Sequence, residues 1–421
     1  MNRRSFLTVL AAGGLGMGAT GFWLWPREGI LNSCLSGPLP KALADHELLR
    51  QAWEGLDPQQ VWDCHVHLIG TGDNNSGIWV NPNMQSLMHP IQYAQFQFYM
   101  NAACVGEDQG KENRGSPHSV DKLVVDRLLS LQKDFPPGAK MMLLAFDYFY
   151  DEQGKQQAES SPFHTPNAYA YAVVKQHPLA FEWIASIHPY RADCVEELQW
   201  CVERGTRAIK WLPGAMGIDP ASPLCDRFYD ALVKYHIPIL CHAGEENAVS
   251  VEGGERLNNP LLLRRALDRG VRVIFAHCAS LGQSHDIDKE PNEAKAPMER
   301  NFNLFKRLIA DSSVADRVYG DISAILQINR DKETIADIVS NPQWHKRLIN
   351  GSDYPLPGVI PLVDTHQYVD WGFIPADTAT RLTQIRPYNP ILYDFLLKRV
   401  IRVNTHALSD DIFESRRIFV Q

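Results

Sequence analysis

The stretch Val61-Trp62-Asp63-Cys64-His65-Val66-His67-Leu68-Ile69-Gly70 sets the reading of the whole chain. Its apolar, β-branched and aromatic residues, closed by Gly70 and Gly72, predict a buried strand. Residues i and i+2 of a strand point to the same face, so His65 and His67 would present two imidazoles to one side at its C-terminal end. Two imidazoles converging on one volume suit a divalent transition ion such as zinc. A lone His-x-His is as readily a chance pair, so the remaining strands decide the matter.

Outward from this stretch, helical and strand-like segments alternate. Residues 68–118, rich in Gly, Asn, Pro and Gln, read as a long excursion with a helix near Tyr93–Ala103. Helical patterns at 119–134, 166–177, 192–205, 222–236, 259–270, 297–311 and 331–341 then precede strand patterns at 141–149, 181–189, 206–213, 237–244, 271–280, 317–325 and 345–355. Parallel neighbours require crossover connections, and eight such units predict an α/β fold of the (β/α)8 TIM-type barrel, spanning 60–405. The absence of a Gly-x-Gly-x-x-Gly turn lowers a dinucleotide-binding sheet. Residues 31–59 read as a linker with a short helix, and 406–421 as a C-terminal tail.

In such a barrel, chemistry sits at the C-terminal ends of strands. Beyond the first strand, ligand-type residues close four others: Lys210 the fourth, His242 the fifth, His277 the sixth and Asp353 the eighth. Each lies in or beside an apolar run, where an unpaired charge is costly and coordination would relieve it. Singly, His242, His277 or Asp353 reads equally well as a satisfied core residue, and Lys210 as an ion-pair partner. Together, four of the chain's 15 histidines fall at the ends of three strands, and that ordering points to a metal site.

The ordered set His65-x-His67, His242, His277 and Asp353 resembles the amidohydrolase superfamily of metal-dependent hydrolases. Cys241-His-Ala-Gly-Glu-Glu246, Phe275-Ala-His-Cys-Ala-Ser-Leu-Gly282 and Asn350-Gly-Ser-Asp-Tyr-Pro355 are similar to its amidohydrolase-related branch, which also holds decarboxylases and lactonases. The resemblance covers roughly residues 60–400. It implies that His65, His67 and Asp353 bind a first divalent metal, zinc by preference, with His242 joining them in a mononuclear site and His277 assisting the substrate. In a binuclear site, Lys210 would bridge two ions in carboxylated form, with His242 and His277 on the second. The expected reaction is hydrolysis of an amide, lactone or related ester by a metal-activated water, with Asp353 as general acid/base and His277 as a second catalytic group. The alternative is non-oxidative decarboxylation of a small carboxylic acid, for which Arg114 and Arg191 are candidate carboxylate holders. A non-catalytic exported metal-binding protein is the third reading, disfavoured because an idle binder needs no acid/base carboxylate. His188, Tyr190, Glu245 and Glu246 are candidate substrate contacts, though each reads at least as well as structural or solvated. Asp321 is expected to support the site without taking part in the chemistry, and Ser280–Ala296 to form a polar lid.

Composition bounds the partners. A net charge of −8, with 45% hydrophobic and 21% charged residues over 421 positions, fits a globular protein acting on a small molecule and argues against nucleic acid. A homo-oligomer stays open. Residues 1–30 read differently: Arg3 and Arg4, followed by an apolar run to Trp25, resemble a twin-arginine signal or membrane anchor. The expectation is an exported protein, periplasmic or anchored to the bacterial membrane. The eight cysteines are expected mostly as small buried hydrophobes, with Cys64, Cys241 and Cys278 on the barrel's outer face and no disulfide favoured.

Overall fold

The computed structural model describes residues 27–105 and 119–420, apart from 248, 250 and 252. The twin-arginine-like segment and Arg114 lie outside the described residues.

Eight short parallel strands close into a ring. They are β1 (Trp62–His67), β2 (Lys140–Leu144), β3 (Phe181–Ile184), β4 (Ile209–Trp211), β5 (Ile239–His242), β6 (Val273–Ala276), β7 (Val318–Asp321) and β8 (Leu348–Ile349). Regular parallel ladders join β1 to β2 to β3, and β4 through β8 in sequence order. A parallel bridge between Ala185 and Ile209 links β3 to β4. The ring closes where the Cys64 amide donates to Asn350 O at 3.0 Å and the His67 amide to Tyr354 O at 2.9 Å. The expected (β/α)8 barrel is therefore present.

Helices occupy the crossovers, and local sequence starts and stops them. α1 (Pro90–Ala102) and α2 (Val120–Gln132) both lie between β1 and β2. The Ser119 hydroxyl caps α2 by accepting from the Lys122 amide, with Asp121 in the first turn. The longest helices of the later crossovers are α3 (Asn167–Gln176), α4 (Cys194–Glu203), α5 (Asp226–Tyr235), α6 (Arg264–Asp268), α7 (Asn301–Ala310) and α8 (Lys332–Ser340). Gly205, at φ +76°, ends the α4 turn in the left-handed conformation that favours glycine. The segment expected as one helix at 297–311 divides instead: residues 298–300 pair as a strand with 283–285, and the helix begins at Asn301.

The core has two compartments. Outward-facing strand residues such as Met141, Leu143, Trp183 and Phe275 pack against the helices. Inward-facing residues, among them Met142, Leu144, Ile184, Leu240, Ile274 and Ile349, fill the barrel. The segment beyond 405, expected as a tail, contributes Ile418 and Phe419 to this interior. Both are buried, so the C-terminus forms part of the barrel's floor.

Cys64 departs from expectation. It joins the interior cluster, whereas Cys241 and Cys278 lie on the outer face as the alternation predicts. The register between β1 and β2 shifts between Asp63 and Val66, a bulge that adds one residue to β1. Cys64 and His65 therefore both turn inward. Asp63 pins the bulge by accepting from the amides of His65 at 3.1 Å and Ser352 at 2.8 Å.

One disulfide, Cys34–Cys104, corrects the expectation of none; it ties the segment before β1 to the end of α1. Its cysteines lie outside the barrel strands, while the other six are buried and free. Among the described residues no helix is long and apolar enough to cross a membrane.

Two outcomes check this account. Denatured without reductant, the protein should expose six reactive thiols, rising to eight after reduction, as counted with a thiol reagent. Phe419→Ala should lower unfolding free energy by about 3 kcal/mol in denaturant titration, because it opens a void at the barrel floor.

Candidate metal centre and active site

The ends of β1, β4 and β5 and the turns after β6, β7 and β8 converge on one cavity of about 250 Å³. His65, His67, Lys210, His242, His277 and Asp353 all line it. Asp353 stands at its centre. Its Oδ1 lies 3.3 Å from His65 Nε2 and 3.1 Å from His67 Nε2, and its Oδ2 lies 3.9 Å from His277 Nε2. Asp353 adopts φ +61°, unusual for a residue with a Cβ, and its amide donates to His65 O at 2.8 Å. The two ends of the ring, β1 and the turn after β8, thus hold the carboxylate and the two imidazoles together. Gly351 makes the approach possible, since a Cβ there would lie 2.7 Å from His65 Cβ and 3.0 Å from Cys64 Sγ.

The protons on the rings follow from their other partners. His65 Nδ1 lies 2.9 Å from Asp321 Oδ2, a fully buried carboxylate that can only accept, so Nδ1 carries the proton and Nε2 is a bare lone pair. His277 Nδ1 lies 3.0 Å from the carbonyl oxygen of Ser323, which places its proton there and leaves Nε2 bare as well. The Ser323 hydroxyl donates to Asp321 Oδ1, which also accepts from the Ser323 amide at 2.8 Å and the His277 amide at 3.2 Å. Asp321 therefore holds β7, the turn after β6 and the ring from β1 in one network. His65 faces Asp321 with one nitrogen and Asp353 with the other, so Asp321 orients the ring.

Burial keeps these histidines neutral. It lowers the pKa of His65 and His67, takes His242 down to about 3 with help from nearby Lys210, and takes His277 to about 4. Neutral imidazole is the metal-binding form.

The donor set fits a cation. Bare lone pairs on His65 Nε2 and His277 Nε2 face the anionic Asp353, and such an arrangement is favourable only with positive charge among them. Lys210 Nζ supplies part of that charge, 2.9 Å from His65 Nε2, and burial lowers its pKa. His65, His67 and Asp353 offer ligand atoms within 4.8 Å of one another. His242 stands beside this group, its ring centroid 5.2 Å from that of His277. Its Nδ1 lies 3.4 Å from Glu246 Oε2, while its buried Nε2 has no hydrogen-bond partner. An orphaned imidazole nitrogen in a cluster of ligand types is what an additional metal ligand looks like without its ion.

Other sequence candidates fall elsewhere. His188 Nε2 donates to Met216 O at 2.9 Å, and its Nδ1 accepts from the Tyr190 amide at 3.2 Å; the pair is structural. Arg191 is locked to Asp147 at 2.9 Å and Asp193 at 2.8 Å and does not line the cavity. Glu245 and Glu246 do line it, and the Glu246 carboxylate is largely buried, so their loop is not simply solvated. Ser280–Ala296 is not a lid: only Leu281 reaches the cavity, and Asp286 is buried and paired with Arg307 at 2.8 Å. The wall comes instead from α1, through Phe98 and Tyr99, and from residues 327–330 and 355–362. Sequence reasoning missed Ser323 and Arg330. Ser323 had a signal, two residues beyond Asp321 at a strand end, whereas Arg330 sits in a loop with none.

The sequence profile of the amidohydrolase family matches residues 62–391, and the chain belongs to that family. It is an enzyme of a metal-dependent class with a barrel to match. No curated protein gives a significant match. Among solved structures, an uncharacterized TIM-barrel protein from Bordetella bronchiseptica is 13% identical, with 74% of this chain and 90% of that one covered and a TM-score of 0.42. A protein from Pseudomonas putida named for 2-pyrone-4,6-dicarboxylic acid hydrolysis is 11% identical, with 80% and 97% covered and a TM-score of 0.43. The 5-carboxyvanillate decarboxylase of Sphingomonas paucimobilis is 9% identical, with 78% and 98% covered and a TM-score of 0.42.

Asp321→Asn should reverse the proton preference of His65 by placing an amide donor at Nδ1. Metal affinity, measured by competition with a chromophoric chelator, should fall roughly 10–100-fold while the circular dichroism spectrum is unchanged.

Proposed function

We propose that this enzyme is a metal-dependent hydrolase of an amide, lactone or related ester, with zinc as the resident ion. The observation that carries the reading is the convergence of His65 Nε2 and His67 Nε2 on Asp353 Oδ1, with His242 Nε2 unpartnered nearby. His65, His67, Asp353 and His242 would hold a single ion; with two ions, Lys210 in carboxylated form would bridge them, with His242 and His277 on the second. A bound divalent ion supplies Lewis acidity and a lowered water pKa.

The chain's own residues provide the rest. Asp353 is anionic and faces the cavity, so it can take a proton from the attacking water and return it to the leaving group. His277, with its proton held on Nδ1 by the Ser323 carbonyl, offers a bare Nε2 as an acceptor. In that state it can accept a proton, and once protonated it would stabilise an oxyanion. The apolar walls exclude bulk water and strengthen these interactions.

Export to an oxidising compartment is part of the proposal. The Cys34–Cys104 disulfide supports it, since such bonds persist outside the reducing cytosol, and it agrees with the Arg3-Arg4 segment.

A panel of lactones, amides, esters and aryl carboxylates tests the activity. Hydrolysis should vanish on chelation and return with zinc, and Asp353→Asn should retain metal while turnover falls roughly 10²–10⁴-fold. Undiminished activity in the chelated protein, or carbon dioxide release from aryl carboxylates with no hydrolysis of any substrate, would overturn the reading.

A further inference from the structure

Residues 74–105 contain no Asp, Glu, Lys or Arg, although 21% of the chain is charged. They are not hidden in the core. In α1 only Met100 and Ala102 are buried, and in the turn before it Leu87 is 75% and Met88 86% exposed. Ile91, Tyr93, Phe96, Phe98 and Tyr99 each keep accessible surface, some of it toward the cavity. A helix against water ordinarily presents charged side chains on its outer side. The only exposed polar residue of α1 is Gln97.

A second observation is where the N-terminal segment leaves the fold. Residues 5–26 lie outside the described residues; they carry no charged side chain and match the roughly 20 residues that insertion into a bilayer needs. Arg27 and Glu28, which follow them, are fastened beside the mouth. Arg27 meets Asp370 at 2.9 Å, and Glu28 meets Arg386 at 2.9 Å and accepts from the Thr365 amide at 2.7 Å. Thr365 is three residues beyond Leu362 of the cavity wall. The segment is then tied to the end of α1. The Asn32 amide donates to Asn101 Oδ1 at 2.9 Å, Asn101 Nδ2 donates to Asn32 O at 3.2 Å, and Cys34 is bonded to Cys104. Leu31, on this strap, is exposed as well.

An uncharged apolar rim and a departing apolar segment thus share one side of the barrel. A second copy of the chain would cover the rim and leave the segment without a partner. A lipid surface satisfies both, since Leu, Met, Tyr and Phe sit favourably at the boundary of headgroups and acyl chains and no charge has to be desolvated.

We propose that the mouth of the barrel lies against a lipid bilayer, with residues 5–26 inserted in it and Leu87, Met88 and the start of α1 seated in its interface. Ile91 and Ile328 are both exposed and both line the cavity, so the cavity opens on that surface. The proposal rests on the anchor reading of the N-terminal segment and is independent of the hydrolase reading.

An environment-sensitive dye attached through Met88→Cys, or separately through Leu179→Cys, tests the orientation. The six native free thiols are buried and the other two cysteines are bonded, so the new thiol reacts selectively in the folded protein. Leu179, 86% exposed, stands just before β3 at the opposite end of the barrel. Mixed with phosphatidylcholine vesicles, the full chain should float with them on a density gradient. The dye at position 88 should then shift its emission to the blue and lose its quenching by iodide, while the dye at position 179 does neither. A chain that does not float overturns the proposal. So does one that floats with both dyes still quenched, which keeps the anchor and removes the docked mouth. A dye at position 88 that is shielded from iodide before vesicles are added also overturns it, and places a second copy on the rim. Failure of the hydrolysis panel would leave these readouts unchanged.

Discussion

The contact between His65 Nδ1 and the buried carboxylate of Asp321 is the constraint on which the site depends. It joins β1 to β7 across the mouth of the barrel and decides which nitrogen of His65 is free. The same carboxylate receives the amides of His277 and Ser323, so one side chain orients one histidine directly and positions the backbone of another. Asp321 is fully buried, and the interaction with His65 holds its carboxyl well below the usual carboxylate range despite that burial. A buried anion with this many donors is stable in one arrangement only. That single arrangement makes a site of ligands contributed by strands far apart in sequence.

The barrel supplies the environment. Its interior below the ligands is apolar and is closed at the floor by Ile418 and Phe419, so the polar cluster sits on a dry base. Electrostatic interactions gain strength there, which lowers the pKa of the histidines and raises the cost of every unpaired charge. The bulge in β1 serves the same end. It lets Cys64 join the apolar fill while His65 and His67 both reach the mouth.

The elements legible in the sequence were those with strong periodicity. The strands IPILCHAG and VRVIFAHCAS, closed by His242 and His277, are apolar runs of the right length followed by a ligand-type residue, and the structure has strands over Ile239–His242 and Val273–Ala276. The ligand-type residues His65, His67, Lys210, His242, His277 and Asp353 all line one cavity, although which of them bind an ion is a proposal. Less was legible where long-range contacts decide. Residues 406–421 carry no pattern that reveals a barrel floor. Cys34 and Cys104 are 70 residues apart, with no spacing signal to pair them. The segment 280–296 is polar and reads as a lid, but the buried Asp286 and its pairing with Arg307 hold it away from the mouth, and α1 forms the wall instead.

By itself the sequence determined the alternation of strands and helices, because hydrophobic period and capping residues act over a few positions. It also determined the types and order of the candidate ligands, because strand alternation carries side-chain direction from one residue to the next. Only the tertiary structure decided the proton positions on His65 and His277 and the orphaned nitrogen of His242. Each depends on partners brought from other strands and loops: Asp321 for His65, the Ser323 carbonyl for His277, and Glu246, which lies beside only one nitrogen of His242. Contacts of that kind follow from barrel closure, which no local pattern encodes.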